Sequence, residues 1–431
     1  MKGRLYYGWI IVAVALVSMA FWFGFRSMFA VFMVALVEQF GWGRAEVSGV
    51  QSLAMVAYIV AAPLAGNLVD RYGPRRAILF GIIMLTAGIA LCATMNRLLE
   101  FYLYFGVMGG AGVAFISLAA YTAIIPHWFE KKRGMASGIA SSGMGLGVVI
   151  FAPVSQGVIS LWGWQIGFLS MAILTAVVLL PLNGLLLRHK PEDMGYAGPD
   201  GQLAAGPATD RPGNPGTMPD LPPQPKADWT LRAAMGTVNF WALMTFPLLN
   251  MVGTYIVLVH FVGFLVNQGI DKMVAASAFA LLGVFATSSR VVWGAVSDRL
   301  GREKAYGLGM LSYCASFFCL FQFQQTGATW FIYLFVVLAG VGWGSGAPIF
   351  MASAADLFHG PAIGTIYGLL EGGVGIGGAF GAFIGGLIFD LSGSYMSAFG
   401  VAAIAVLLAG ALIWVAAPRN GVALKQKRLL A

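Results

Sequence analysis

The stretches "GNLVDRYGPRR" (Gly66–Arg76) and "GAVSDRLGREK" (Gly294–Lys304) are two copies of one pattern, G-x-x-x-D-R-x-G followed by basic residues. Each copy lies between two long apolar segments. Asp70 and Asp298 can cap or pair near a helix end, the glycine permits a tight turn, and the basic residues hold the loop on one side of a membrane. An internal repeat of this kind predicts two halves that fold alike.

The chain around the repeats is too apolar for a soluble protein. Of its 431 residues, 59% are hydrophobic and 10% are charged, and the mean hydropathy is +0.82. Apolar stretches that are each long enough to cross ~30 Å of hydrocarbon as a helix recur along its length. There are twelve of them: 8–33, 47–69, 77–95, 101–125, 134–158, 165–187, 237–267, 273–297, 305–325, 329–353, 362–389 and 395–417. We therefore predict an all-α membrane protein with twelve transmembrane helices.

The basic residues are distributed unequally between the two membrane faces. Of the 25 Lys and Arg residues, 20 fall on the face that carries both termini. The other face has Arg44, Arg97 and Lys272, and two arginines, Arg26 and Arg290, fall within predicted helices. Because short loops rich in Lys and Arg stay in the cytoplasm, we predict cytoplasmic termini and a location in the inner (plasma) membrane of the cell. The net charge of +8 is explained in this way and gives no reason to expect nucleic-acid binding.

A segment dense in Pro, Gly and Asp separates the sixth apolar stretch from the seventh and reads as a flexible cytoplasmic linker. It divides the twelve helices into six plus six, and each half has its repeat between its second and third helices. The predicted organisation is therefore a six-helix bundle at 1–188, a linker at 189–232, a second pseudo-symmetric six-helix bundle at 233–418 and a basic tail at 419–431.

The paired repeats and the six-plus-six layout resemble the major facilitator superfamily along essentially the whole chain. Within that superfamily, "HWFEKKRGMASGIASSGMGLG" (His127–Gly147) is similar to the signature of monocarboxylate transporters. The segments "YYGWIIV" and "RHKPEDMGYAGPDG" are similar to that branch and to its bacterial relatives, the oxalate/formate antiporters. The resemblance implies transport by alternating access, in which two halves rock around a site near the membrane midplane.

Arg290 is a permanent cation in the middle of the eighth apolar stretch. It precedes Asp298 by eight residues, which is ~12 Å of helix, so it lies near mid-membrane, too deep for its charge to reach water easily. One interpretation is a site for a carboxylate, which the planar guanidinium can bind bidentately, and the other is a structural ion pair. The resemblance favours the first, because monocarboxylate transporters have a substrate-binding arginine on helix eight.

The proton carrier of such transporters is missing here. Proton-coupled relatives have an aspartate one turn before the helix-eight arginine, where this chain has Ala286. His260 in helix seven and Glu371 in helix eleven are the candidate replacements, since a histidine changes protonation near neutral pH. The alternatives are an imidazole bonded to a backbone carbonyl for His260 and a counter-ion to Arg290 or Arg26 for Glu371.

Two further residues are candidates for substrate contact. Arg26 in helix one lies next to the position where related transporters have a lysine, so it either contacts substrate or extends toward the membrane surface. Tyr121 in helix four could donate a hydrogen bond to a carboxylate, as tyrosines do in similar transporters. In the repeat loops, Asp70 with Arg71 and Asp298 with Arg299 are expected to form cytoplasmic latches that bias the conformational equilibrium.

The charges also bear on the substrate class. Oxalate antiporters use a cation on helix eleven as well as one on helix eight, whereas helix eleven here has Glu371 and no Lys or Arg. We therefore predict proton-coupled symport of a small monoanion such as lactate or pyruvate. The alternatives are an exchanger of the oxalate/formate or dicarboxylate type, which Arg26 keeps open, and a drug exporter.

Other classes of protein receive little support. The sequence lacks the H-E-x-x-H, G-x-S-x-G and P-loop patterns, so we do not expect an enzyme. Cys92, Cys314 and Cys319 lie in apolar segments without metal-ligand spacing and are interpreted as packing residues. We predict no cofactor and no metal, and a monomeric protein whose partners are a small organic monoanion, a proton and the lipid bilayer.

Overall fold

The structure is a computed structural model that describes residues 6–117, 121, 124–129, 133–188, 191, 229–358, 363–416 and 418. Within these ranges the chain is almost entirely helical and contains no β-strand. The predicted fold class is confirmed, because the described helices account for twelve membrane crossings.

The first half contains helices α1 to α6. The first four are α1 (Tyr7–Phe40), α2 (Arg44–Tyr72), α3 (Pro74–Cys92) and α4 (Leu98–Phe115), whose middle part, Tyr102–Gly109, is π-helical. The continuous segment Arg133–Pro181, extended by a π-helical turn at Leu182–Leu186, contains both α5 and α6. It is divided at Gly163, whose φ of 85° lies outside the helical region. Eleven apolar spans therefore correspond to twelve crossings, since the span Gly138–Leu186 crosses twice.

The second half contains helices α7 to α12. These are α7 (Val238–Asn267), α8 (Lys272–Leu300), α9 (Arg302–Thr326), α10 in two pieces (Trp330–Gly344 and Gly346–Leu357), α11 (Ile363–Ser392) and α12 (Tyr395–Ala416). Two short helices, Ile125–Trp128 and Leu231–Met235, precede α5 and α7.

Several helices run beyond the apolar stretches that predict them. Helix α1 has 34 residues, about 51 Å of helix, and ends where Gly41 adopts a φ of 67°. It extends past the apolar stretch 8–33 because a helix continues through the polar membrane interface, where Glu38 is compatible with water. Residues 192–228 and 419–431 lie outside the described ranges, so the bounds of the linker and the tail stay predictions.

The two repeats form nearly identical turns. Gly73 joins α2 to α3 with φ 82° and ψ 155°, and Gly301 joins α8 to α9 with φ 89° and ψ 156°. These are the final glycines of the two G-x-x-x-D-R-x-G copies, and the left-handed φ explains why both are glycine. The two turns therefore have the same backbone geometry, as the pseudo-symmetry between the halves predicts.

The halves meet mainly where α2 packs on α11, α5 on α8 and α1 on α7. We call the membrane face that carries the repeat turns the linker side and the opposite face the far side. Ser52 of α2 donates to the carbonyl of Ala379 in α11 at 2.6 Å, and Lys272 at the start of α8 is 2.5 Å from Glu38 near the end of α1. These bonds lie toward the far side and join the halves there.

Within the first half, glycines on α5 allow a close approach to α1. A side chain at Gly143 would overlap the carbonyl of Leu16, and one at Gly147 would overlap that of Ala20. Two of the glycines in the helix-five signature are therefore required for backbone contact, as their spacing predicts.

Candidate functional site

One face of α8 is directed toward the first half. Gly283, Ala286, Thr287 and Arg290 have the spacing i, i+3, i+4 and i+7 and so share this face. They line a narrow crevice between the halves. Its other walls come from α1, α5 and α10: Phe23, Met144, Gly145, Val148 and Trp343.

Arg290 is the charged residue of this crevice. Its guanidinium carbon lies 5.9 Å from the ring centroid of Trp343, within the range of a cation–π contact. Its Nε is buried and has no hydrogen-bond partner among the described residues. The salt bridges formed by those residues do not include Arg290 either. The Trp343 ring contacts one face of the guanidinium, so the N–H groups at the edge of the guanidinium can bond another group.

Arg26 of α1 is held between aromatic rings. Its guanidinium carbon is 3.9 Å from the ring centroid of Trp22 and 4.7 Å from that of Tyr58 in α2. It is also close enough to Tyr255 in α7 and Glu371 in α11 for its charge to act on them. The side chain is therefore directed toward the second half and does not extend to the membrane surface.

Glu371 lies on the face of α11 that meets the first half. Gly375, one turn further along α11, packs against Ile59 of α2, so Glu371 is on the same face and closer to the linker side. Its Oε1 accepts a hydrogen bond of 3.1 Å from the hydroxyl of Tyr367, and the side chain is exposed. The basic group whose charge acts on it is Arg26, which is one of its two predicted counter-ions.

His260 is buried away from the crevice. It is fully inaccessible, its Nε2 lies 2.9 Å from the carbonyl oxygen of Ala382 in α11, and its ring centroid is 5.6 Å from that of Tyr395. Its charged neighbours are Arg44 and Asp390, both toward the far side. The structure does not bring His260 together with Arg290, and it shows the backbone-carbonyl contact that was the alternative interpretation.

Tyr121 is also separate from the crevice. Its side chain is fully buried in the first half, where its hydroxyl donates to Asn183 Oδ1 at 2.7 Å. The amide of Asn183 donates in turn to the hydroxyl of Ser18 in α1 at 3.2 Å. These bonds link α6 to α1, which gives Tyr121 a structural role in this arrangement, and its contact with substrate stays a prediction.

Comparison with known proteins establishes the family. The model of the Major Facilitator Superfamily matches residues 10–294 and 248–429. The chain belongs to the Major Facilitator Superfamily.

Curated relatives within this superfamily are transporters. Monocarboxylate transporter 13 of Rattus norvegicus is 27% identical over 420 residues, which cover 96% of this chain and 89% of the rat protein. The oxalate:formate antiporter of Oxalobacter formigenes is 26% identical over 421 residues, which cover 97% of this chain and 94% of that protein. The resemblance to both branches is therefore confirmed.

Solved structures agree on the fold. A bacterial homologue of the human lysosomal transporter Spinster, in an inward-facing and unoccupied conformation, has a TM-score of 0.69 at 16% identity and covers 98% of both chains. A D-xylose–proton symporter has a TM-score of 0.71 at 14% identity and covers 95% of this chain and 97% of its own. At these identities the likeness concerns the fold alone.

The superfamily repeat of the second half is bonded within that half. Arg302 donates from Nη1 to Asp298 at 2.5 Å and from Nε to Asp356 at 3.0 Å, and thereby joins α8, α9 and the end of α10. Asp298 and Arg299 are exposed. In the first half, Arg75 donates to the carbonyl of Gly184 at the end of α6, and Arg71 is exposed. The side chain of Asp70 lies outside the described part of the structure.

Of the nine described residues that line the crevice, sequence reasoning identified Ala286 and Arg290, and the residues that it missed include Phe23, Gly145 and Trp343. Phe23 of α1 and Trp343 of α10 face one another across the halves, with ring centroids 6.0 Å apart. Gly145 of α5 abuts Thr287 of α8 so closely that a side chain at Gly145 would overlap it. Aromatic and small residues are common throughout this chain, so no local signal distinguishes these three from their neighbours.

Proposed function

We propose that this protein is a secondary active transporter of small monocarboxylates, such as lactate or pyruvate, that works by alternating access. The observation that carries the proposal is the guanidinium of Arg290, which lies between the halves with its Nε buried and without a hydrogen-bond partner in the described part of the chain. A buried charge in a membrane protein is costly and is usually compensated by a partner or a water-filled cavity. A substrate carboxylate is that partner.

The surroundings of Arg290 suit a short acid. The guanidinium can hold both carboxylate oxygens, and the hydroxyl of Thr287, on the same face of α8, can bond a 2-hydroxy or 2-oxo group. The rings of Phe23 and Trp343 and the glycine at Gly145 leave little space beside these groups. The substrate is therefore a monoanion of a few carbon atoms.

Coupling to protons is assigned to Glu371 in preference to His260. A proton carrier must exchange protons with water during the cycle, and Glu371 is exposed whereas His260 is fully buried. Glu371 is also the carboxylate whose charge interacts with Arg26. In this scheme Arg26 favours the ionised carboxylate in one conformation, and separation of the halves allows Glu371 to take up a proton.

The alternative function is anion exchange of the oxalate/formate or dicarboxylate type. Two observations favour it: Arg26 is a second cation between the halves, and an oxalate:formate antiporter matches nearly the whole chain. A drug exporter for lipophilic cations is less well supported, because Arg290 would repel such a substrate. We further propose a monomer in the inner (plasma) membrane, with both termini cytoplasmic because basic residues dominate that face, and no enzymatic activity.

The function is tested by uptake of labelled lactate into proteoliposomes. Unlabelled pyruvate and lactate should compete, whereas oxalate and a lipophilic cation such as tetraphenylphosphonium should not. Competition by oxalate together with exchange-dependent uptake would favour the antiporter. Competition by the cation alone would favour an exporter and overturn the proposal.

A further inference from the structure

Two of the three basic residues predicted on the far side join the two halves. Lys272, which begins α8, pairs with Glu38 near the end of α1 at 2.5 Å. Arg44, which begins α2, donates from Nη1 to the hydroxyl of Tyr395 at 2.6 Å and from Nη2 to Asn267 Oδ1 at 2.9 Å. Both cations reach from one half to the other.

Asp390, at the far-side end of α11, caps the beginning of α2. Its Oδ1 accepts from the backbone N–H of Arg44 at 3.1 Å, and its Oδ2 accepts from that of Ala45 at 2.7 Å. The first N–H groups of a helix have no partner within the helix, and a carboxylate there also interacts favourably with the helix dipole. The unusual feature is that this cap comes from the other half of the molecule.

The guanidinium of Arg44 completes the same contact. It lies over the ring of Phe389, 4.1 Å from its centroid, and bonds Tyr395, whose side chain is 3% exposed. The side chains of Lys272 and Glu38 are 41% and 50% exposed, so solvent screens their attraction. The part-buried bonds, from Arg44 Nη1 to Tyr395 and from the Ala45 N–H to Asp390, are therefore the stronger part of the far-side connection. The bonds from Arg44 Nη2 to Asn267 and from the Arg44 N–H to Asp390 are exposed.

We infer that Arg44 and Asp390 form a clamp that closes the far side and sets the balance between the two conformations of the transport cycle. The clamp consists of the Asp390 cap on α2 and the bonds of the Arg44 guanidinium to α7 and α12. Opening the far side breaks both, so weakening either one shifts the population toward the far-side-open state. This inference rests on the alternating access of the proposed function but does not depend on the substrate.

The clamp is tested with a cysteine reporter at Ser48. This residue of α2 is fully buried and lies so close to Gly386 of α11 that a side chain at Gly386 would overlap it, so Ser48→Cys is shielded while the far side is closed. The purified protein in nanodiscs is treated with a water-soluble maleimide, and the protein without the reporter gives the background from its natural cysteines. Asp390→Ala and Arg44→Gln, each combined with the reporter, should raise the labelling rate at least about threefold, since a lost cap has effects of this order.

Asp271→Ala is the matched control. Asp271 caps α8 on the same side of the membrane, accepting from Met273 and Val274, but within its own half. Its loss removes one charge and one helix cap without changing a bond between the halves, so labelling should stay at the rate of the reporter alone. Asp390→Asn, a milder change, replaces Asp390→Ala if the latter does not fold.

Two results would overturn the clamp. One is labelling of the Asp390 and Arg44 variants at the rate of the reporter alone. The other is an equal increase of the labelling rate in Asp271→Ala, which would show that the loss of a helix cap within one half also exposes the reporter. If the clamp variants label faster while the protein carries no monocarboxylate, the clamp stands and the proposed substrate is wrong.

Discussion

Arg290 combines a permanent charge with a site that leaves it incompletely bonded. A cation–π contact contributes about 0.5–2 kcal/mol, which is small beside the cost of a buried charge in a membrane. The contact with Trp343 therefore orients the guanidinium but does not compensate its charge. A guanidinium held in this way is oriented to bind an anion. Substitution of Arg290 by lysine, a cation of different shape, tests the assignment.

Arg290→Lys should weaken lactate binding at least about tenfold, a loss of ~1.4 kcal/mol. The lysine keeps the charge but loses the planar fork that holds two carboxylate oxygens. Binding to the purified protein by calorimetry is the measurement. Arg97→Lys, the same change at an exposed residue before α4, is the control and should bind as the wild type does. Wild-type affinity in Arg290→Lys would refute a carboxylate-binding role.

At the scale of elements, α5 and α8 interlock beside Arg290. Thr287 of α8 lies against Gly145 of α5, and Val148 of α5 lies against Gly283 of α8. Each helix thus offers a glycine to a side chain of the other half. Because α5 and α8 belong to different halves, the proposed alternating access requires this contact to form and separate in each cycle, so the steric fit of the two helices should affect the transport rate.

Gly145→Ala should slow lactate turnover at least about fivefold, because overpacking a close contact costs about 1–3 kcal/mol. The added methyl would overlap Thr287 and hold α5 and α8 apart, which opposes closure beside Arg290. The measurement is the initial uptake rate in proteoliposomes. Gly138→Ala is the matched control: it lies on the same helix with no atom within 4 Å of an added methyl, so its rate should be unchanged.

The steric origin of the effect is tested by combining Gly145→Ala with Thr287→Gly, which removes the side chain that the methyl meets. Because Thr287 is also proposed to bond the substrate, the comparison is with Thr287→Gly alone, and Gly145→Ala should reduce turnover by a smaller factor in that variant than in the wild type. An unchanged rate in Gly145→Ala would show that the α5–α8 contact does not limit the cycle.

At the scale of the whole molecule, the two halves are bonded to one another on the far side. Arg44, Ala45, Ser52 and Lys272 carry bonds from one half to the other there, whereas the repeat of the second half is bonded internally through Arg302. The network of Arg302 ties α8, α9 and α10 together and so helps the second half to move as one body. The predicted cytoplasmic latches at Asp70 with Arg71 and at Asp298 with Arg299 stay predictions.

The proposed proton coupling involves the whole transport cycle, and Glu371→Gln should abolish it. Wild-type protein should concentrate lactate when the external pH is lowered, and a protonophore should remove that accumulation. Glu371→Gln cannot exchange a proton, so it should lose pH-driven accumulation while still exchanging internal for external lactate. Both are measured as lactate flux in proteoliposomes under an imposed pH difference.

His260→Gln is the comparison variant for this experiment. It replaces the other candidate carrier and retains an amide that can donate to the carbonyl of Ala382, so pH-driven accumulation should persist. If Glu371→Gln still concentrates lactate and His260→Gln does not, the carrier is His260. If the wild type exchanges anions without responding to pH, the protein is an exchanger.

The sequence alone determined the number of helices and the two halves, and it predicted the depth of Arg290. Hydropathy is a property of consecutive residues, so twelve apolar stretches were enough to predict twelve crossings. Gly73 and Gly301, at the same place in the two repeats, indicated two equivalent turns. Helical rise is constant, and therefore the offset of eight residues from Arg290 to Asp298 was enough to predict that the arginine lies near the midplane.

Only the tertiary structure decided which side chains meet. Tyr121 bonds Asn183, His260 faces the carbonyl of Ala382, and Arg44 joins its backbone to Asp390, a residue 346 positions away. The helical period shows which residues share a face, but the neighbour of that face depends on how twelve helices pack, and packing is settled by contacts between residues far apart in the chain. For this reason the arginine of the crevice was visible in the sequence, whereas its aromatic walls and the far-side clamp were not.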